Sequence, residues 1–369
     1  VGYVTVTGGQ TAIEEAEKLL HHYRTGQSSH PLHPETIEKQ MRLLVDRIMG
    51  EGGLYAPDHA SLALKQAEGD PAEAAFLLRA YRSTLSRNFY TKTVDPGEMR
   101  LIRRISSTFK DIPGGQVLGP TYDYTHRLLN FSLREETEED FSEFLEAVDI
   151  DSEQVEQTPS FKKVTELLKA ENLLADSEME QEQEPVDITR EKPAFPLSRS
   201  ARLQSLARGE TGAMSALAYS AVRGHGKVHP TIGELRVGYA DIEIEYPGRE
   251  NESLYIGETM LTEVETVNSF TETINNQAGG LNLGYGLVFG HNELKAISMA
   301  VLEHSLATEG EAPVHDEEFV LLHIDSVDSS GFISHMKMPH YVTFQAQLNR
   351  LRKFQEEEGG KPEDESRKQ

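Results

Sequence analysis

Apolar positions recur at helical spacing through the first third of the chain. In PETIEKQMRLLVDRIMGEGG the residues Ile37, Met41, Leu44, Val45, Ile48 and Met49 share one helical face, and the run stops at glycines. GDPAEAAFLLRAYRSTL carries its own start signal. Asp70 can cap, Pro71 suits the first helical position and Glu73 can close a capping box. The first 110 residues are therefore expected to be mainly helical, after a short strand at residues 1–7. From about residue 233 the period changes to two. DIEIEY alternates Ile242, Ile244 and Tyr246 with acids, and LYIGETML, GLVFG and FVLLHID are further strand candidates. HNELKAISMAVLEHSL and YVTFQAQLNRLRKFQ return to helical spacing. Without a regular strand–helix–strand beat, the mixture predicts an α+β fold.

Composition divides the chain further. Residues 133–188 are acidic and poor in apolar side chains, which predicts a largely disordered insert. Within it, FKKVTELLKAENLL can form one amphipathic helix. The expected layout is a mainly helical domain over 1–132, the insert over 133–188, an α+β domain over 189–352 and a disordered tail over 353–369. The formal net charge is −25, a field that repels nucleic acid. No apolar run is long enough to span a bilayer, and VGYVTVTGGQ has neither the basic nor the apolar part of a signal peptide. These features predict a cytoplasmic protein with no nucleic-acid or membrane partner. The sequence contains no cysteine, so disulfides, thiolate metal sites and an iron–sulfur cluster carried by this chain are excluded.

Four stretches can carry chemistry. In GFISHMKMPHYVTFQ, His335 and His340 stand five residues apart. That spacing points them about 140° apart on a helix, so they share one metal ion only if the chain bends. Pro339 restricts Met338 to extended conformations and favours such a bend. The alternative is two loop histidines with no common partner. VHDEEFVLLHID offers Asp316, Glu317 and Glu318 before the expected strand, with His323 and Asp325 on one strand face as a general base or third ligand. SRSARLQSLARGETG and RGHGKVHP gather Arg199, Arg202, Arg208, Arg223, His225, Lys227 and His229. Arginine forks and glycine-flanked amides suit phosphate oxygens, whereas ordinary ion pairs would leave them structural. KDIPGGQVLGPTYDYTHRLL, after the basic run MRLIRRI, reads as an irregular, fixed loop bearing Asp111, Asp123 and His126. It lacks the lysine ending of a phosphate-binding loop. GYGLVFGHNELKAI is not a dinucleotide fingerprint, because Gly284 and Gly286 precede the strand and do not follow it.

Together KDIPGGQVLGPTYDYTHRLL, DITR with SRSARLQ, ALAYSAVRGHGKVHP, GYGLVFG and DEEFVLLH with GFISHMKMPHYVTFQAQL resemble the I subunit family (PhnI) of the bacterial carbon–phosphorus lyase core complex. The resemblance runs from the first strand to about residue 352. It implies phosphonate catabolism in a complex with G, H and J subunits, and with ATPase-like K and L subunits. It further implies replacement of the adenine of MgATP by an alkylphosphonate such as methylphosphonate, giving α-D-ribose 1-methylphosphonate 5-triphosphate. For the chain alone it implies a purine nucleosidase activity. The family's zinc-ligating histidines fall on His335 and His340, at its interface with J. The resemblance assigns no catalytic residue. From chemistry and location, Asp111, Asp123, His126, Asp316, Glu317 and Glu318 are candidate acids and bases, and Arg199, Arg202, Arg223 and Lys227 candidate phosphate ligands. The cofactors implied are Zn²⁺, and Mg²⁺ with ATP. The rival reading is a non-catalytic scaffold that closes an interface zinc site with J.

Overall fold

The computed structural model describes residues 9–26, 28, 30–147, 161–175, 185–192, 194–225, 230–249, 252–270 and 279–359. The expected strand at 1–7, the acidic stretches 148–160 and 176–184, Lys227, His229 and the tail from 360 lie outside these. Two compact units divide the chain: residues 32–326, and residues 1–31 with 327–369. The smaller unit opens with α1 (Gln10–Thr25).

The larger unit begins with four helices: α2 (Pro34–Gln40), α3 (Arg42–Gly52), α4 (Pro57–Gln66) and α5 (Pro71–Thr84). The helix expected over 34–52 is two helices that meet at Met41, whose backbone leaves the helical region (φ −115°, ψ 34°). Met41 is therefore exposed, while Ile37, Val45, Ile48 and Met49 form a core with Ala60, Leu64, Ala74 and Leu78. Asp70 caps α5 as expected, accepting from the N–H groups of Ala72 and Glu73 at 2.9 and 3.0 Å. Strand β1 (Arg100–Ile105) follows, on the run read from sequence only as basic. Next come α6 (Glu138–Ala147), α7 (Val164–Ala170), α8 (Arg199–Ala207) and α9 (Thr211–Tyr219), the last running into a π-helical turn at Ser220–His225.

Strands β2 (Thr231–Glu245), β3 (Ser253–Phe270) and β4 (Leu281–Phe289) then pair antiparallel with β1 in the order β1-β2-β3-β4. Helices α10 (Glu293–Leu306) and α11 (Glu317–His323) complete the unit. The fold is α+β. One face of the sheet gives Leu235, Val237, Val264 and Val288 to the main core, against Leu206, Met214, Ala296, Met299, Ala300, Leu302, Val320 and Ile324 from α8–α11 and their flanks. The smaller unit closes with α12 (Ser326–Ser334) and α13 (Tyr341–Gly359), so residues 353–359, expected in a disordered tail, are helical.

Two expectations are corrected. FVLLHID is the helix α11, not a strand. Asp316 caps it through the Phe319 N–H at 2.9 Å, Glu317 and Glu318 favour its first turn, and Val320, Leu321 and Ile324 are buried at helical spacing. His323 and Asp325 thus share no strand face. Asp325 instead accepts from Arg79 with both oxygens, at 2.9 and 2.8 Å.

The second correction concerns the described residues 161–175 of the acidic insert. Its expected helix forms as α7, and it is part of the fold. Val164 and Leu168 pack with Ile112 and Val267. The second sheet face carries buried charges that α7 and its flanks cover. Arg104 Nε lies 2.5 Å from Glu234 Oε1, and Glu234 also accepts the Val164 N–H at 2.8 Å. Lys163 reaches Glu263 at 2.6 Å, and Thr165 donates to Glu265 at 2.7 Å. Burial raises Glu265 above its ordinary range despite Lys163 beside it. Removing one partner from such a buried set costs about 3–5 kcal/mol.

Leu168→Ala should accordingly destabilise the protein by roughly 2–5 kcal/mol in urea unfolding. Replacing 133–188 by a short Gly/Ser linker should abolish soluble protein. A wild-type urea midpoint in Leu168→Ala would mean that α7 contributes nothing to the fold.

Candidate functional site

The junction between β4 and α10 organises the site. A Cβ at Gly284 or Gly286 would overlap the carbonyl oxygens of Ala300 and Ala296, so the helix backbone lies directly on the strand. Gly290 then turns the chain at φ +69°, and the Asp46 carboxyl occupies the space a Cβ would need. Asp46 accepts the His291 N–H at 2.9 Å. Burial holds this carboxyl above its usual range, more strongly than the His291 N–H and Arg42 lower it. Thr262 donates to the Gly290 carbonyl at 2.6 Å and accepts the Asn292 N–H at 3.0 Å.

This turn delivers His291, Glu293 and Lys295. Arg42 Nη1 is 3.1 Å from His291 Nδ1, and His291 Nε2 is 2.6 Å from Glu293 Oε1. A guanidinium can only donate, so Nδ1 carries the lone pair and Nε2–H donates to Glu293. Glu293 also meets Arg103 Nε at 2.8 Å. Burial pushes the Glu293 carboxyl up, but the His291 hydrogen bond and the Arg103 charge outweigh it and hold it below its ordinary value. Arg103 is fully buried and is the common anchor, since Nη1 donates to the Leu118 carbonyl and Nη2 to Asp123 Oδ2 at 2.5 Å.

The loop after β1 is fixed, as its sequence predicts. Arg104 and Val117 exchange backbone hydrogen bonds at 2.8 and 2.7 Å. Gly119, at φ +63°, lies against β1 where a Cβ would overlap the Ile102 carbonyl. Tyr122 and Asp123 are thereby brought to a cavity of about 300 Å³, lined also by Arg42, Arg127, Thr211, His291, Glu293 and Lys295. Arg127 lies 3.6 Å from Asp123. A second cavity, of about 480 Å³, is lined by Asp95, Glu98, Asp241, Glu243 and Glu258 with Lys92 and Arg100. Its carboxylate majority suits no polyanion.

Among the described candidates read from sequence, Asp123 alone lines the first cavity. Asp111 and His126 are exposed on the same loop. Asp316 is a helix cap, and Glu317 accepts the Leu197 N–H at 2.6 Å while lying 3.5 Å from Arg202. One expected acid and one expected phosphate ligand thus neutralise each other. Glu318 is exposed, Arg199 pairs with Glu303 at 2.8 Å, and Arg223 is exposed on the π-helical turn. Sequence reasoning missed His291, Glu293 and Lys295. Their signal was a glycine between a strand and a helix start, Gly290, obscured by attention to Gly284 and Gly286.

In the smaller unit, His335 and His340 do come together. A 3₁₀ turn at His335–Lys337 passes into extended Met338 (φ −73°, ψ 154°), and Pro339 turns the chain into α13. The imidazole centroids lie 5.5 Å apart, edge to face. Nδ1 of His335 meets the Phe332 carbonyl, and Nδ1 of His340 the Met338 carbonyl at 2.6 Å. A carbonyl can only accept, so both protons sit on Nδ1 and both Nε2 lone pairs are left for a metal. That is half of a tetrahedral shell. Among the described residues no group of three or more His, Cys, Asp or Glu side chains is placed to hold a metal ion. No helix among them is long and apolar enough to cross a membrane.

Residues 2–358 match the sequence profile of the PhnI family, described as bacterial phosphonate metabolism protein. The chain is 47% identical over 372 residues to a putative C-P lyase subunit protein, HtxH, of Stutzerimonas stutzeri, covering 98% of each. It is 47% identical over 362 residues to the alpha-D-ribose 1-methylphosphonate 5-triphosphate synthase subunit PhnI of Escherichia coli K12, covering 96% of this chain and 99% of that one. With the subunit of the same name from Rhizobium meliloti it shares 43% over 364 residues, covering 96% and 95%.

Gly290→Ala tests the junction. It requires a strained left-handed backbone and displaces the Asp46 carboxyl. A loss of about 1–3 kcal/mol in unfolding free energy is expected. Unchanged stability would mean that the turn tolerates a side chain.

Proposed function

The chain belongs to the PhnI family of bacterial phosphonate metabolism, and from that premise we propose that its Arg103-anchored cavity is where a subunit of the synthase binds MgATP and exchanges adenine for an alkylphosphonate. The observation that carries this reading is the pairing of acids and cations in one cavity. Asp123 and Glu293 converge on one buried guanidinium, with Arg42, Arg127 and Lys295 in the same walls. Displacement at the anomeric carbon passes through an oxocarbenium-like state. An ionised carboxylate beside the ribose stabilises it, a proton donor assists the departing base, and cations hold the phosphates. Asp123, paired with Arg103 and Arg127, supplies the first. For the second, the His291–Glu293 hydrogen bond in the same walls offers a path along which a proton can be relayed. Water in place of phosphonate gives the purine nucleosidase activity of the chain alone.

The histidine pair serves a separate purpose in this reading. His335 and His340 bind Zn²⁺ through Nε2, with the remaining ligands from the J subunit, solvent or substrate. G and H complete the core, and the K and L subunits act as ATPase-like partners. Exposed Phe332, Ile333, Met336, Tyr341, Val342 and Phe344 around the pair support a partner surface, because apolar patches of this kind mark contact sites.

In the assembled complex, Asp123→Asn should lower adenine release from MgATP with methylphosphonate by roughly 10²-fold or more, mainly in kcat. Wild-type turnover would move the chemistry elsewhere. His335→Ala with His340→Ala should remove zinc from the complex, measured by metal analysis, and leave the urea midpoint of this chain unchanged. Full zinc content in that double variant would return the pair to ordinary loop residues.

A further inference from the structure

We propose that the cavity is a polyphosphate site in which Lys295 and the starts of α3 and α10 hold the inner end of a phosphate chain, with the ribose and base directed outward; this rests on the reading of the cavity as the nucleotide site. Three independent features carry it.

The first is Lys295 itself. It lies in the cavity wall, has no exposed surface and makes no hydrogen bond through Nζ. An ammonium brings three donors, and burying all of them without partners is costly. Of the neighbouring carboxylates, Glu210 is engaged through both oxygens. Glu51 is engaged through Oε1 alone, its Oε2 being buried without a hydrogen-bond partner and acting on the amine as a counter-charge. Glu51 accepts from Arg47 at 2.8 Å and from the Thr211 N–H and hydroxyl at 3.1 and 3.0 Å. Glu210 pairs with Arg47 and caps α9 through Gly212 and Ala213. Burial pushes the amine down to about 8, against the opposing pull of Glu51 and with Arg47 and Arg79 adding to the fall. A bound anion supplies the missing partners and draws the amine back up toward its ordinary range.

The second feature is two helix starts. α3 begins at Arg42 and α10 at Glu293, and both line the cavity. Neither has a side-chain cap. The first amides of each helix lack intrahelical acceptors and carry the positive end of the helix dipole, the usual setting for phosphate oxygens. α9, which starts beside them at Thr211, is by contrast closed by Glu210.

The third is the charge and size of the walls. Arg42 donates to an imidazole nitrogen and keeps further N–H groups, while Arg127 stands at the rim with its side chain 64% exposed. Arg42, Arg127 and Lys295 thus meet in walls whose two carboxylates, Asp123 and Glu293, are already paired with Arg103, in a chain of net charge −25. About 300 Å³ is the small end of ligand pockets. It suits a phosphate chain and ribose, with the purine outside against exposed Tyr122.

Inorganic tripolyphosphate, titrated into the assembled complex by calorimetry, tests the inference. Lys295→Met should weaken its binding at least tenfold, with the melting temperature of the chain no lower than wild type, because a buried amine without partners has been removed. Arg127→Gln, at an exposed position where folding is not at risk, should weaken it at least threefold. Unchanged affinity in Arg127→Gln together with unchanged affinity or failed folding in Lys295→Met would overturn the proposal and leave Lys295 an internal counter-ion. Tripolyphosphate binding lost in Lys295→Met while Asp123→Asn retains full adenine release would uphold the anion site and reject the ribosyl-transfer reading.

Discussion

The close approach of α10 to β4 is the constraint on which the rest of the larger unit depends. Two glycines, Gly284 and Gly286, leave room for the carbonyls of Ala296 and Ala300 against the strand. Any side chain at either position would lift the helix. The main core is built around that contact, since Ala296, Met299, Ala300 and Leu302 pack there on Val264 and Val288. The same contact fixes where α10 starts, and so where His291, Glu293 and Lys295 project. Packing and site geometry are therefore one problem in this fold. A helix lifted by a methyl group would loosen the core and misplace every group that Arg103 holds together.

The sheet resolves a second problem, how a strongly acidic chain keeps its cations in place. Arg103, Arg104 and Arg236 are almost wholly buried, on adjacent strands. Each lies against carboxylates from other elements: Glu293 and Asp123 for Arg103, Glu234 for Arg104, Glu263 for Arg236. Buried ion pairs contribute little net stability against apolar packing. They do penalise every alternative register, because a strand slip leaves a charge unpaired in a dry place. The acidic segment that supplies α7 belongs to this arrangement. Lys163 and the Val164 amide close the outer carboxylates Glu263 and Glu234.

What the sequence made legible follows from how local each signal is. The Asp70 cap, the alternation of DIEIEY in β2 and the apolar spacing of α10 depend on neighbours within one turn or one pleat, and they hold in the structure. So does the bend at Pro339 that brings His335 to His340, because the restraint acts on the preceding residue alone. Non-local facts were hidden. RLIRRI reads as a basic run until Glu234 and Glu293, 130 and 190 residues away, pair with its arginines. FVLLHID is apolar enough for a strand, and the cap at Asp316 decides for a helix. Arg202 looked like a phosphate ligand because Glu317, its partner across α8 and α11, stands 115 residues further on. The residues singled out the histidine pair and resemblance to a family gave it an expected zinc role, but resemblance assigned no residue of the cavity.

The two candidate centres differ in how completely one chain builds them. The cavity has its acids, cations, anchoring guanidinium and two helix starts from residues 42–295 of one polypeptide. Its electrostatics are set when the larger unit folds. The histidine pair presents two Nε2 lone pairs and, among the described residues, no third ligand. Two imidazoles hold zinc weakly, whereas a completed tetrahedral shell holds it tightly. On the proposed reading, metal affinity there depends on whatever supplies the remaining ligands, and the exposed apolar residues around the pair suit a partner surface. One centre complete within a single chain and one half-built centre differ in kind: the first depends only on the folding of the larger unit, the second on whatever is brought to it.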